Sequence, residues 1–227
     1  MKIFGLCLLI SALMVSAAIA EDSIPDLPLI EINAKAPERD SLVLLITGDG
    51  GFSAFDKGVS RSFADDGIPV VAVNALKYFW TKRTPESTAA DMARVLRAYK
   101  SSWHKTKILL VGYSFGAEVM PFVYNRLPGD IRKDVVMTVL LGASPHADFE
   151  FHVTYWAHLP GSNQWPVLPE LEKMRGQTIM VIYGEDEKDT LAKELPPGLC
   201  NVVALKGGHH FGNDYEAIEK TILRENH

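Results

Sequence analysis

The sequence predicts an α/β fold with a mainly parallel sheet and helices on both of its faces. Three observations carry that expectation. Short, continuously apolar runs of strand length recur along the chain. Helical patterns of about 10 to 15 residues separate them. The composition, 47% apolar and 22% charged over 227 residues, suits a packed core and argues against disorder.

Residues 1–20 read as a cleaved export signal rather than as part of the fold. Lys2 precedes an apolar run, Ala18-Ile19-Ala20 offers a small-x-small cleavage pattern, and acidic Glu21-Asp22 follows. The run is short for a membrane span, which needs about 20 residues. Cys7 lacks the small residues that precede a lipoprotein cysteine. Cleavage would leave residues 21–227 as one domain with Cys200 as its lone cysteine, so no internal disulfide can staple it. A periplasmic location is expected.

The elements then follow in order. Residues 41–47 form a buried strand that runs into Gly48-Asp49-Gly50-Gly51, and residues 54–66 a helix closed by Gly67. Residues 68–73 are the next strand. Thr84 caps a helix whose first position is Pro85, where a missing N–H costs nothing. Ala89, Met92, Ala93, Leu96 and Tyr99 make one apolar stripe along that helix. Strand 107–113 feeds a helix to about Arg126, in which Pro121 should kink the axis or limit the first turn. Strands are expected at 135–141, 178–183 and 201–205, with a last helix at 214–224. Residues 143–175 exceed a simple crossover and read as an insertion after the strand ending near Leu141.

Charge and motifs exclude some functions. A net charge of -5 gives no basic surplus for nucleic acid. The glycine loop at 48–51 lacks the G-x-x-x-x-G-K-[ST] pattern of a phosphate loop. No cofactor is implied.

Gly112-Tyr113-Ser114-Phe115-Gly116 carries the chemistry. A G-x-S-x-G pattern alone is weak, but here it sits between a strand and a helix, as a nucleophile elbow requires. Ser114 needs a base, and Gly207-Gly208-His209-His210-Phe211 before the last helix is where one is expected; either imidazole could serve. The acid should come from Gly184-Glu185-Asp186-Glu187-Lys188-Asp189, with one carboxylate turned inward. Asp189 is the first choice and Asp186 the second, with Glu187 left open. The N–H of Phe115 and that of Asp49 or Gly50 are the oxyanion donors expected.

The chain resembles the VirJ/AcvB family of bacterial virulence proteins. The resemblance rests on Thr47-Gly48-Asp49-Gly50-Gly51-Phe52, on the elbow with Met120-Pro121-Phe122, and on Asn125-Arg126-Leu127-Pro128. It extends through Phe149-Glu150-Phe151-His152-Val153, the acid loop and Gly208-His209-His210-Phe211; Phe52 stands where the family often has tryptophan. It implies an exported α/β-hydrolase, and the usual form of the histidine loop in such hydrolases favours His209. Family members of the AcvB kind hydrolyse lysyl-phosphatidylglycerol, and those of the VirJ kind are linked to type IV secretion. The resemblance thus implies an aminoacylated phospholipid or another ester as substrate, with secretion-system proteins as the partners of a noncatalytic alternative.

A lysyl ester carries two positive charges, which Glu118, Glu150 or the 185–189 carboxylates could receive. Trp156, Leu159, Trp165 and Leu168 in the insertion suit either packing over the sheet or peripheral contact with a bilayer. His146-x-Asp148-x-Glu150-x-His152 alternates with apolar residues and reads as a half-buried strand with a polar face at the site mouth. Neighbours on one face of a strand are about 6.6 Å apart, too far for all four to share one metal ion, so no metal is expected. His152 and Trp156 join the candidate substrate contacts.

Overall fold

The computed structural model describes residues 24–35, 37–151 and 165–224. The expected export signal and residues 152–164 of the insertion, with His152, Trp156 and Leu159, lie outside them. An edge strand β1 (Leu29–Ile32) is followed by β2 (Ser41–Ile46), α1 (Ala54–Asp65), β3 (Val70–Val73), α2 (Ala75–Tyr78) and α3 (Pro85–Ser102). Next come β4 (Lys107–Tyr113), α4 (Phe115–Arg126), α5 (Gly129–Arg132) and β5 (Val135–Leu141). Two short strands, β6 (His146–Ala147) and β7 (Trp165–Pro166), pair with each other, and α6 (Leu168–Glu172), β8 (Ile179–Gly184), β9 (Asn201–Leu205) and α7 (Tyr215–Arg224) complete the chain.

The main sheet has the order β1-β3-β2-β4-β5-β8-β9, and every pairing is parallel except that of β1. Its apolar runs are explained by burial on both faces. In β2, Leu42, Leu44 and Ile46 enter one core with α3 and α4, while Val43 and Leu45 enter the other with α1 and α7. The α3 stripe is buried along its whole length, and Thr84 Oγ1 caps the helix by accepting from Ser87 N at 3.1 Å. By contrast, β9 is an edge strand with Asn201, Val202 and Ala204 exposed.

Helix α4 runs as one element through Pro121 and is buried on nearly every side between α3 and the sheet. One expectation is corrected. The alternating stretch from His146 is a strand only at His146–Ala147. Asp148 Oδ1 accepts from the main-chain N–H of Phe149 at 2.6 Å and of Glu150 at 3.1 Å, so the chain turns there instead of staying extended.

The topology itself selects the site. From β2 the chain first moves to β3 on one side, then returns to place β4 on the other. The order of strands therefore reverses at β2 and β4, and a crevice opens beyond their carboxyl ends. Ile46 is in register with Gly112, which sets the loop after β2 beside Tyr113 and Ser114.

Candidate active site

Ser114 stands between β4 and α4, at the N-cap of the helix, with φ 51° and ψ -118°, a backbone conformation that costs a residue with a side chain about 1 to 3 kcal/mol. The sharp turn works because the residue two places on is glycine. A Cβ on Gly116 would stand 2.0 Å from the carbonyl oxygen of Ile46, which the sheet holds in place. Gly116→Ala is therefore expected to lower stability by about 3 kcal/mol, measured by urea unfolding.

Ser114 Oγ lies 2.8 Å from His209 Nε2, and His209 Nδ1 lies 2.6 Å from Glu187 Oε1. A carboxylate can only accept, so Nδ1 carries the hydrogen and Nε2 is free to accept from the serine hydroxyl. Gly142, the residue after β5, makes room for this ring: a Cβ there would come within 2.9 Å of His209 Cε1.

The carboxylate on the imidazole is that of Glu187, not the first-choice Asp189 or the second-choice Asp186. Glu187 N–H donates to Gly184 O at 2.9 Å, and Gly184 N–H donates to Glu187 Oε2 at 2.7 Å. This reciprocal turn folds the side chain inward to 10% exposure and leaves its other oxygen for His209. Glu185, Asp186 and Asp189 stay exposed around it.

His210 faces away from the serine. Its Nδ1 lies 2.6 Å from Tyr113 Oη, and the Tyr113 ring also packs beside that of His209. The sequence motif gives Tyr113 no role of its own, although its place next to Ser114 makes it a neighbour of whatever approaches the elbow. Burial raises its phenol pKa well above the ordinary value, which keeps it a neutral hydrogen-bonding group.

Phe115 opens α4, so its N–H has no partner within the helix and is available at the serine. Across from it, the loop after β2 is pinned by Thr47, whose buried Oγ1 accepts from Ala75 N at 2.9 Å. Asp56 ties down the far end of that loop, accepting from Ser53 N at 3.0 Å and from Ser53 Oγ at 2.5 Å. Burial holds the Asp56 carboxyl pKa above its usual value, against the lowering effect of Ser53. Asp49 faces the same cavity as Ser114 and Phe115, whereas Gly50 is exposed and does not line it.

That cavity has a volume of about 520 Å³ and is lined by carboxylates from several elements: Asp49, Glu118, Asp148, Asp189 and Glu194. Its described lining contains no lysine or arginine. Burial pushes the Glu118 carboxyl pKa up to about 7, while hydrogen bonds from the Ser144 side chain and main chain pull the other way. Glu150 is not on the lining; it lies 3.9 Å from Lys82 at the surface. Phe151 lines the cavity and stacks with the exposed Trp80, ring centroids 5.9 Å apart. Of the insertion residues read as suited to sheet packing or bilayer contact, Trp165 is exposed and meets Phe122 and Phe149 edge-on, and Leu168 packs against the core. Among the described residues no three His, Cys, Asp or Glu side chains gather as a metal site.

Residues 40–227 match a family model described as bacterial virulence protein (VirJ). No curated protein sequence matches the chain. Among solved structures, MenH from S. aureus is similar with a TM-score of 0.62 and 16% identity, over 87% of this chain and 98% of that one. A lipase-esterase related protein from Clostridium acetobutylicum ATCC 824 gives 0.62 and 14%, over 87% and 99%. The esterase domain of a Rhodothermus marinus protein gives 0.60 and 13%, over 86% and 90%. At such identities the likeness speaks for the fold alone, and the fold is that of the α/β-hydrolases. With more than four-fifths of its length matched by one family, this chain belongs to the VirJ family of bacterial virulence proteins.

Proposed function

We propose that the protein is an exported serine esterase that removes the aminoacyl group from an aminoacylated phospholipid, lysyl-phosphatidylglycerol being the first substrate to test. The observation that carries this reading is the cavity at Ser114, lined by five carboxylates and, among its described residues, no lysine or arginine. Such a cavity favours a cationic acyl group, and its volume lies within the range of small-molecule sites.

In the mechanism that this geometry supports, His209 Nε2 takes the proton of Ser114 as Oγ attacks the ester carbonyl carbon. Glu187 holds the Nδ1–H and stabilises the imidazolium. The N–H groups of Phe115 and Asp49 receive the oxyanion. The lipid glycerol oxygen leaves with the proton from His209, and Ser114 carries the lysyl group as an ester. Water, activated by the same imidazole, then attacks that ester. Free lysine departs and Oγ–H is restored.

Trp80 beside the mouth, with exposed Lys77 and Lys82 close in sequence, supports peripheral contact with an anionic bilayer. The leader pattern of residues 1–20 supports action in the periplasm. A noncatalytic adaptor for secretion-system proteins would have no use for a serine, an imidazole and a carboxylate held within hydrogen-bond reach, and this favours the enzyme.

The test is incubation of the purified protein with phosphatidylglycerol vesicles containing lysyl-phosphatidylglycerol. Release of lysine with matching loss of the lysyl lipid is expected. Intact lysyl lipid alongside cleavage of a soluble neutral ester would remove the lipid assignment and keep the esterase.

A further inference from the structure

We propose that Glu118 is the specificity residue that recognises the α-ammonium group of the acyl moiety, while the outer carboxylates Asp189 and Glu194 serve the amino-acid side chain. This rests on the esterase reading above and divides the acidic cavity into two parts with different tasks.

The division follows from where each carboxylate is mounted. Glu118 lies one helical turn beyond Ser114 on the helix that carries the nucleophile, and its N–H donates to Ser114 O at 3.1 Å. Helical side chains lean toward the N-terminus, so the Glu118 carboxyl is directed back to the serine end of the cavity that both residues line. Ser144 hydrogen-bonds to it and fixes its orientation. Asp189 and Glu194 belong to the exposed loop and turn beyond β8, across the cavity.

The substrate has matching dimensions. With the carbonyl carbon about 3 to 3.5 Å from Oγ, the α-nitrogen lies only about 2.5 Å farther, two bonds away. It therefore stays within the first turn of α4. The ε-nitrogen of an extended lysyl chain is about 6 Å beyond the α-carbon and reaches the outer part of the cavity.

The electrostatics agree with this placement. Asp49 from the loop after β2, Asp148 from the turn after β6, and His146, Asp189 and Glu194 on the remaining lining are the titratable groups around Glu118. Asp49 and Asp148 add to the burial that raises its pKa to about 7, and Ser144 opposes them. Glu118 thus shares a proton with solvent near neutrality when the cavity is empty and favours a cation once ionised. Since its charged form is the binding form, recognition strengthens as pH rises through about 7. It weakens again when the substrate α-amine, with a pKa of about 7.7 to 8.0, loses its own charge.

The experiment compares p-nitrophenyl esters of L-lysine, L-alanine and 6-aminohexanoic acid, the last keeping a terminal ammonium but lacking the α-amine. The readout is the ratio of kcat/KM for the alanyl ester to that for the 6-aminohexanoyl ester, which cancels whatever pH dependence the two reactions share. In the wild type this ratio should rise and then fall with pH. Glu118→Gln should lower it by about 30- to 100-fold at pH 7.5 and remove the rising limb. Glu118→Asp should restore part of it. A ratio that Glu118→Gln leaves unaltered, with all three esters slowed alike, would overturn the proposal and leave the esterase standing. A folded wild type that cleaves none of the three would overturn both.

Discussion

Ser114→Ala is expected to lower kcat for ester cleavage by more than about 10⁴-fold while the protein remains folded. The hydroxyl is the only group of the serine placed at His209, 2.8 Å from Nε2, and alanine leaves the imidazole with nothing to activate on the protein. Residual turnover would come from oriented water and the two main-chain donors. The fold should tolerate the change, because alanine keeps the Cβ that the positive φ already accommodates. Ser114→Gly should be equally inactive but more stable by about 1 kcal/mol, since glycine removes the strain and returns only part of that gain as unfolded-chain entropy. Thermal unfolding of both variants, paired with steady-state rates on one soluble ester, separates the catalytic loss from any loss of folding.

The second large effect concerns the acid. Glu187→Gln should cost about 10³- to 10⁴-fold in kcat, because an amide can offer its NH₂ to Nδ1 and so favour the wrong tautomer of His209, and it cannot stabilise the imidazolium. It also weakens the turn in which Oε2 accepts from Gly184 N at 2.7 Å, so the circular-dichroism spectrum and melting temperature belong in the same measurement. Asp189→Asn should cost about 10-fold at most on a neutral ester, since its carboxylate lines the cavity rather than contacting the ring. Equal losses in the two variants would contradict the assignment of Glu187.

The contrast between these acids shows which parts of the site were legible in the chain. Four carboxylates within five positions identify the loop, and the need for an inward-turned one follows from chemistry. The identity of that residue depends on a turn. Glu187 stands three places after Gly184, the spacing at which a side chain can reach back to an N–H, and this was the available signal. In the histidine loop, Tyr113 decides the matter by engaging His210, a tertiary contact between residues 97 positions apart that no local pattern encodes.

Much of the sheet was readable for a simple reason. Strands buried on both faces need apolar residues at every position, as in Leu42, Val43, Leu44 and Leu45, and such runs are conspicuous. Strand β1 leaves a weak signal because three of its residues are only partly buried, Glu31 is exposed, and the strand pairs antiparallel at an edge, where composition is less constrained. The stretch after His146 fails in the opposite direction, its pattern predicting a strand where the chain turns. Ala147, Phe149 and Phe151 are buried, but so is Asp148, which satisfies two backbone N–H groups and turns the chain.

The most direct measurement is reaction with a fluorophosphonate, followed by intact mass and peptide mapping. One adduct per chain on Ser114 is predicted, absent from Ser114→Ala and slowed by about 10²- to 10⁴-fold in His209→Ala. A folded wild-type protein that stays unmodified, or that carries the adduct on another residue, would contradict the account.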